Sequence, residues 1–328
     1  MQNPSETPDL FADMLPHAEV VSEGKKEATP PSSSIDASAE IDGVVVGDEE
    51  HKSYYWADNL RQVPNALIRC GLFTVGNNKQ ERKVWRAAHP ALIESYGSMS
   101  VNYFGEELRQ DDLDVLLEML QVARGQNVED ALHIRPIHFI NDMNWSKNSA
   151  SYERLRTCIK RLQGGVMTII VYLNKERTET LTYNGSLIVD SYLYENEDKR
   201  VNDRWKVSLN PKLMKFFDVN AFTRINWFHR MEISSPLGKF LHSFFASHNG
   251  NFPIHWRKIM MISGYRAKSA SAERKFKSDV LKYLGKMKQI GAILDFEIDE
   301  NDCLKVKPVK WKMLNTQEDA AHQAAKKD

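Results

Sequence analysis

The same order of patterns occurs twice in this sequence, and that repetition limits the folds open to it more than any single motif. The first copy begins at residues 107–124. There Leu108, Leu113, Leu116, Leu117 and Leu120 recur at helical spacing. Asp111, Asp112 and Asp114 crowd the start of this stretch, the end of a helix that favours carboxylates. A short helix opened by Pro136 is predicted over 136–144. An amphipathic helix over 149–163 follows, with Tyr152, Leu155, Cys158, Ile159 and Leu162 on one face and Arg154, Thr157, Lys160 and Arg161 on the other. Gly164-Gly165 ends it, and the β-branched run 166–173 reads as a strand. Further strands are predicted near 179–183 and 186–194, separated by the hairpin signal Asn184-Gly185, and near 204–209.

The second copy starts at Ser235-Pro236, a cap followed by proline in the first helical position. Its first helix, 236–247, buries Leu237, Phe240, Leu241, Phe244 and Phe245. A short helix is predicted over 255–262. The helix over 270–288 then sets Phe276, Val280, Tyr283, Leu284 and Met287 against Ser271, Arg274, Lys275, Ser278 and Lys282. Gly291 precedes a strand over 292–298, the turn Asp299-Glu300-Asn301-Asp302 and a return strand over 304–309. Individual residues echo as well: Pro136-Ile137-His138-Phe139 against Pro253-Ile254-His255-Trp256, and Ser149-Ala150-Ser151-Tyr152-Glu153-Arg154 against Ser269-Ala270-Ser271-Ala272-Glu273-Arg274. The order of elements carries more weight than these identities in pointing to an internal duplication.

Charge is distributed to match. The whole chain is neutral, yet residues 1–50 hold twelve carboxylates and two lysines, a net of −10, which leaves the rest at +10. Rich in Ser, Pro and acid, that first segment cannot bury enough apolar surface to offset its ordering entropy, and disorder is expected. The body's positive charge concentrates on the two amphipathic helices and their flanks. Residues 251–290, which include Arg266 and Lys268, carry a net of +8, and residues 143–177, which include Lys147, carry +5. One basic helix face is compatible with plain solvation; two at matching places in a repeated plan point to nucleic acid. Two helices joined by a tight turn, the second basic and followed by a β-hairpin, describe a winged helix, whose second helix fits the major groove.

Other chemistries find little support. Gly164-Gly165 lacks the Lys-Ser of a phosphate-binding loop, and His242, His248 and His255 lack metal-ligand spacing. No nucleophile elbow organises the serines. Tyr152, the one imaginable DNA-nicking nucleophile, falls on an apolar helix face. Cys70, Cys158 and Cys303 are too few for a disulfide frame and suit a reduced, cytoplasmic setting. No apolar run spans a bilayer, so no membrane partner is expected. A binding protein without catalysis, cofactor or metal is the expectation.

Three stretches resemble a known family: Gly71-Leu72-Phe73-Thr74-Val75-Gly76-Asn77-Asn78-Lys79, Gly105-Glu106-Glu107-Leu108-Arg109-Gln110-Asp111-Asp112, and Met143-Asn144-Trp145-Ser146 followed by Tyr152 through Arg161-Leu162-Gln163. With Ser235-Pro236 and Phe244-Phe245-Ala246-Ser247-His248, they are similar to the TrfA-type plasmid replication initiators, over about residues 58–310. The resemblance implies an α+β protein of two tandem winged-helix domains that binds origin iterons as double-stranded DNA. It also implies opening of an adjacent A·T-rich segment, with single-strand contacts, and recruitment of the host replicative helicase. By that analogy Ser271, Arg274, Lys275, Ser278 and Lys282 are the base-reading candidates, followed by Lys147, Arg154, Lys160 and Arg161, and the first domain supplies a homodimer surface. A sliding-clamp peptide is implied too, with Thr7-Pro8-Asp9-Leu10-Phe11 the nearest match, Leu10 and Phe11 filling the pocket and Thr7 standing where Gln is expected. The expected organisation is an acidic disordered segment 1–53, a first winged-helix domain 54–232, a second 233–314 and a polar tail 315–328. A tandem winged-helix repressor of a plasmid operon would share the same plan. A rolling-circle nickase would need a His pair for metal and an exposed Tyr, and an interaction adaptor would use the basic faces to bind acidic partners.

Overall fold

In a computed structural model of the chain, residues 57–309 are described apart from 78, 125–130, 175, 194–204, 219–221 and 249–251. The acidic N-terminal segment, Leu10-Phe11 and the tail 315–328 lie outside the described residues. The fold mixes helix and strand throughout. First come β1 (Leu60–Pro64), α1 (Asn65–Ile68), β2 (Phe73–Thr74), β3 (Val84–Trp85), β4 (Ala91–Ile93), β5 (Met99–Glu106), β6 (Leu108–Arg109) and α2 (Gln110–Ala123). Then follow β7 (Leu132–Ile134), α3 (Pro136–Asp142), α4 (Ser149–Gly164), β8 (Val166–Tyr172), β9 (Thr180–Gly185), β10 (Ile188–Tyr192), β11 (Trp205–Leu209), α5 (Lys215–Asp218) and β12 (Phe222–Asn226), which pairs back on β1. The last stretch holds α6 (Trp227–Glu232), α7 (Pro236–Ala246), β13 (Pro253–His255), α8 (Trp256–Ile262), α9 (Ala270–Gln289), β14 (Ile293–Ile298) and β15 (Cys303–Pro308).

Two apolar cores result, one drawing residues from Val63 to Trp227 and the other from Ile233 to Val306. Each packs a helix against the basic amphipathic helix that follows later in the chain. In the first, α2 packs on α4 around Leu113, Leu116 and Leu120 with Leu155, Ile159 and Leu162; in the second, α7 packs on α9 around Phe240, Leu241 and Phe244 with Phe276, Val280 and Leu284.

The repeat is present, but its hairpin sits elsewhere than expected. Asn184-Gly185 does not turn the chain back on itself: β9 pairs with β8, and β10 pairs with β11. The β8–β9 turn is closed instead by Leu173 N–H donating to Glu179 O at 2.9 Å and by Asn174 Oδ1 accepting from Thr178 N–H. The first copy's order β10-β11-β7 matches the second's β14-β15-β13, all antiparallel. Both hairpins shift register at the same place, between Ile188 and Asp190 and between Ile293 and Asp295. The counterpart of β14–β15 is therefore β10–β11, and β8–β9 is an insertion that joins β3, β4 and β5 in a five-stranded sheet. The residue two beyond each short helix is left-handed in both copies, Asn144 at φ 53° and Gly264 at φ 70°. The two sequence echoes fare differently. Pro136 opens a helix whereas Pro253 opens a strand, and the Ser-Ala-Ser echo runs one residue out of structural register. The caps fix that register: Asn148 Oδ1 accepts from Ser151 N–H, and Ser269 Oγ from Ala272 N–H.

Candidate nucleic-acid interface

Helix α9 owes its orientation to four buried side chains, Phe276, Val280, Leu284 and Met287, which pin one stripe to the second core. Everything opposite is thereby turned outward: Ser271, Arg274, Lys275, Ser278 and Lys282 are all exposed. Arg266 and Lys268 are exposed in the loop leading into the helix. Ser269 caps the first turn, so the remaining free N–H groups and the dipole's positive end face the same approach. Lys275 is held loosely by Asp279 at 3.3 Å with most of its side chain still in solvent, and Lys282 lies over the Tyr283 ring at 5.7 Å.

The hairpin behind α9 is tied to it by one carboxylate. Asp302, in the left-handed turn between β14 and β15, accepts from Lys277 Nζ at 2.5 Å and from Trp256 Nε1 at 3.4 Å. Lys277 and the neighbouring His255 hold that carboxyl below its usual range, the Lys277 hydrogen bond most of all. The hairpin itself is acidic, with Asp295, Glu297, Asp299, Glu300 and Asp302 against Lys305 and Lys307; Lys305 pairs with Glu297 at 3.2 Å, and Lys288 of α9 pairs with Asp295 at 2.6 Å. Asp302 was not among the residues expected to matter; only its place in an acidic turn after the basic helix marked it.

Helix α4 presents a different surface. With the caps superposed, Lys147 falls on Lys268, Glu153 on Arg274, Arg154 on Lys275 and Arg161 on Lys282. Lys147 and Lys160 are exposed. Arg154 lies at 4.0 Å over the Trp145 ring and 3.5 Å from Asp111, with 37 % of its side chain still exposed. Arg161 corrects the expectation that it faces outward: only 8 % of it is exposed. Its guanidinium donates to Asp112 Oδ1 at 2.8 Å and lies 3.7 Å from Glu106. Burial alone would lower its pKa, but Asp112 more than offsets this and holds it above the usual range. Glu153, meanwhile, puts an acid where the second copy has Arg274, and it pairs with Arg156 at 2.6 Å.

The segment 105–112 turns out to be structural. Arg82 donates to Asp111 at 3.0 Å, to Asp112 at 2.7 Å and to Glu107 O at 2.6 Å, while Arg109 binds Glu107 at 2.8 Å and the carbonyls of Asn77, Gln80 and Glu81. For Asp111, burial raises the pKa, but Arg82 and then Arg154 more than reverse it, leaving the carboxyl below its usual range. Among the described residues no cluster of His, Cys, Asp and Glu could hold a metal, and no helix is long and apolar enough to cross a membrane. Tyr152 is half-buried on α4.

The sequence model described as TrfA protein matches residues 51–303. A curated relative, the plasmid replication initiator protein TrfA of Escherichia coli, is 22% identical over 210 residues, which cover 64% of this chain and 52% of that protein. The chain thus spans about half the length of that relative. Among solved structures, domains 2 and 3 of RctB give a TM-score of 0.48 at 10% identity, covering 75% of this chain and 99% of that one. The Pi initiator protein in complex with iteron DNA gives 0.40 at 14% identity, covering 60% and 93%.

Proposed function

The chain belongs to the TrfA protein family, and from that premise we propose that it initiates plasmid replication by binding iterons at the origin through two winged-helix domains. The observation that carries this reading is the outward face of α9, with Ser271, Arg274, Lys275, Ser278 and Lys282 all exposed on a helix of 20 residues whose opposite stripe is buried. A helix of that kind fits the major groove, about 12 Å wide, and its side chains meet base edges there. Lys268 and Lys147, each just before a capped helix start, suit phosphates at the groove margin. The hairpins β14–β15 and β10–β11 serve as wings. Base reading belongs mainly to α9, because Glu153 would repel the backbone where Arg274 attracts it. Lys147, Lys160 and Arg154 of the first half then hold phosphates, and Arg161 takes no part.

The wider reading includes melting of an A·T-rich segment with single-strand contacts, recruitment of the host helicase, a homodimer through the first half, and a clamp contact through Leu10 and Phe11. All of it takes place in the cytoplasm. The decisive measurement is binding to direct repeats from the plasmid's own origin. Affinity should fall with salt at a log–log slope of about −0.9 per phosphate contacted. The double variant Arg274→Glu, Lys275→Glu should lose repeat binding while keeping its circular dichroism spectrum; unaltered affinity and specificity in that variant would overturn the groove assignment. Replication of a test plasmid carrying only the origin separates an initiator from a tandem winged-helix repressor.

A further inference from the structure

The two cores meet at a buried ionic junction that the DNA-binding reading does not use. Asp114 on α2 accepts from Arg230 Nε at 2.7 Å and from Lys239 Nζ. Arg230, on α6, is 0 % exposed. It also donates to Gln110 Oε1 of α2 at 3.1 Å and, on the other side, to Ser243 Oγ at 2.7 Å and Lys239 O at 3.1 Å on α7. One guanidinium and one carboxylate thus tie α2 of the first core to α7 of the second. Nearby, the backbones come close: Val75 N–H donates to Ser263 O at 3.1 Å, and a Cβ on Gly71 would lie 3.3 Å from Gly264 N. Apolar contact alone tolerates sliding, because the hydrophobic effect is non-directional. A buried carboxylate gripped from two directions does not, since any slip leaves a charge without its partner in a medium that penalises this heavily.

We propose that Asp114 is a positioning residue: acting through Arg230 and Lys239, it fixes the distance and angle between α4 and α9 so that the protein accepts a single spacing between the two parts of its DNA site. This rests on the two-domain DNA-binding reading above. It assigns to the ionic junction the tuning of spacing, a property separate from the strength of either half's own contacts.

The test starts from a duplex selected by the full chain out of a random-sequence pool, then inserts one or two base pairs between its two protected segments. Each inserted pair moves one segment by about 3.4 Å and turns it by about 35°. The unaltered chain should lose at least about tenfold in affinity per insertion, as when a good base contact is lost. In Asp114→Asn, and in Lys239→Met, where Asp114 keeps Arg230 as its neutralising partner, that penalty should shrink to less than about threefold while affinity for each isolated segment stays the same. Asp114→Glu should restore the penalty. If Asp114→Asn fails to fold, Lys239→Met decides. A folded variant that keeps the full penalty overturns the proposal, as does an unaltered chain indifferent to insertion. Selection of no duplex at all would instead defeat the DNA-binding reading itself.

Discussion

Arg161 and Lys282 occupy equivalent positions on α4 and α9, yet one is buried against Asp112 and the other stands in solvent. The difference comes from α2, whose Asp112 is 0 % exposed and waits under α4, whereas α7 offers α9 no such acid. Arg161→Ala should therefore cost stability, about 3–5 kcal/mol for removing one partner of a buried pair. Lys160→Ala, one residue away and exposed, should change stability by less than about 0.5 kcal/mol. Urea unfolding of both variants checks the contrast. Buried histidines give a pH dependence at the same scale. Burial, then the cations of Arg230, His229 and Lys239, push His242 down to about 3 from 6.5; burial, then Arg69, pushes His248 down to about 4. Between pH 6.5 and those values the unfolded chain binds more protons than the folded one, so stability is full above 6.5 and is lost as the pH falls. The urea midpoint should be lower at pH 5 than at pH 7.5, and His242→Phe should flatten part of that slope. A slope that His242→Phe leaves unaltered would count against the burial of His242.

At the scale of elements, the start of α9 matters most, because its cap shares the first turn with Ser271, where the proposed groove face begins. Ser269→Ala removes the side chain that accepts from Ala272 N–H and should cost about 1 kcal/mol, fraying that turn and weakening duplex binding together. Calorimetry and a binding titration on the same variant test whether the two losses coincide. Gly264 is the other sensitive point. Its φ of +70° disfavours a side chain, and a Cβ there would lie 2.8 Å from Thr74 Cγ2, so Gly264→Ala should destabilise, by about 1–3 kcal/mol. The equivalent Asn144 tolerates the same conformation on its own short polar side chain. The hairpin signal Asn184-Gly185 illustrates why local turn signals can mislead. Gly185 does take a positive φ, 149°, but it directs the chain out of one sheet and into another, with Asn210 Nδ2 donating to Ser186 O.

For the whole molecule, the separation of charge along the chain has a consequence that no single contact carries. Without residues 1–50 the protein changes from neutral to +10. Its summed field on DNA should then strengthen, and association with random duplex at low salt should tighten. At ionic strengths where the Debye length falls to about 8 Å or less, the gain should largely vanish. Filter binding of the full and shortened chains at low and physiological salt measures this; equal affinities at low salt would discard a shielding role. The Asp114 junction also ties the two cores directly to each other.

Helical periodicity and caps made the helices legible from the sequence. The predicted 149–163 and 270–288 became Ser149–Gly164 and Ala270–Gln289, because an apolar stripe and a capping side chain act within one or two turns. The outward face of α9 was legible for the same reason, since the stripe Phe276, Val280, Leu284 and Met287 fixes what must lie opposite. What the sequence could not decide is which distant element covers a given face. Arg161 looked as free as Lys160 until α2 brought Asp112 beneath it. Asp114 read only as a carboxylate at a helix start, and Arg230 and Lys239 carried no signal, yet the two cores close over all three. The pairing of β10 with β11 across the undescribed 194–204 carried no local signal. Charges and strand edges take their partners from across the chain, so their roles are set by packing, whereas helix formation and capping are satisfied by near neighbours.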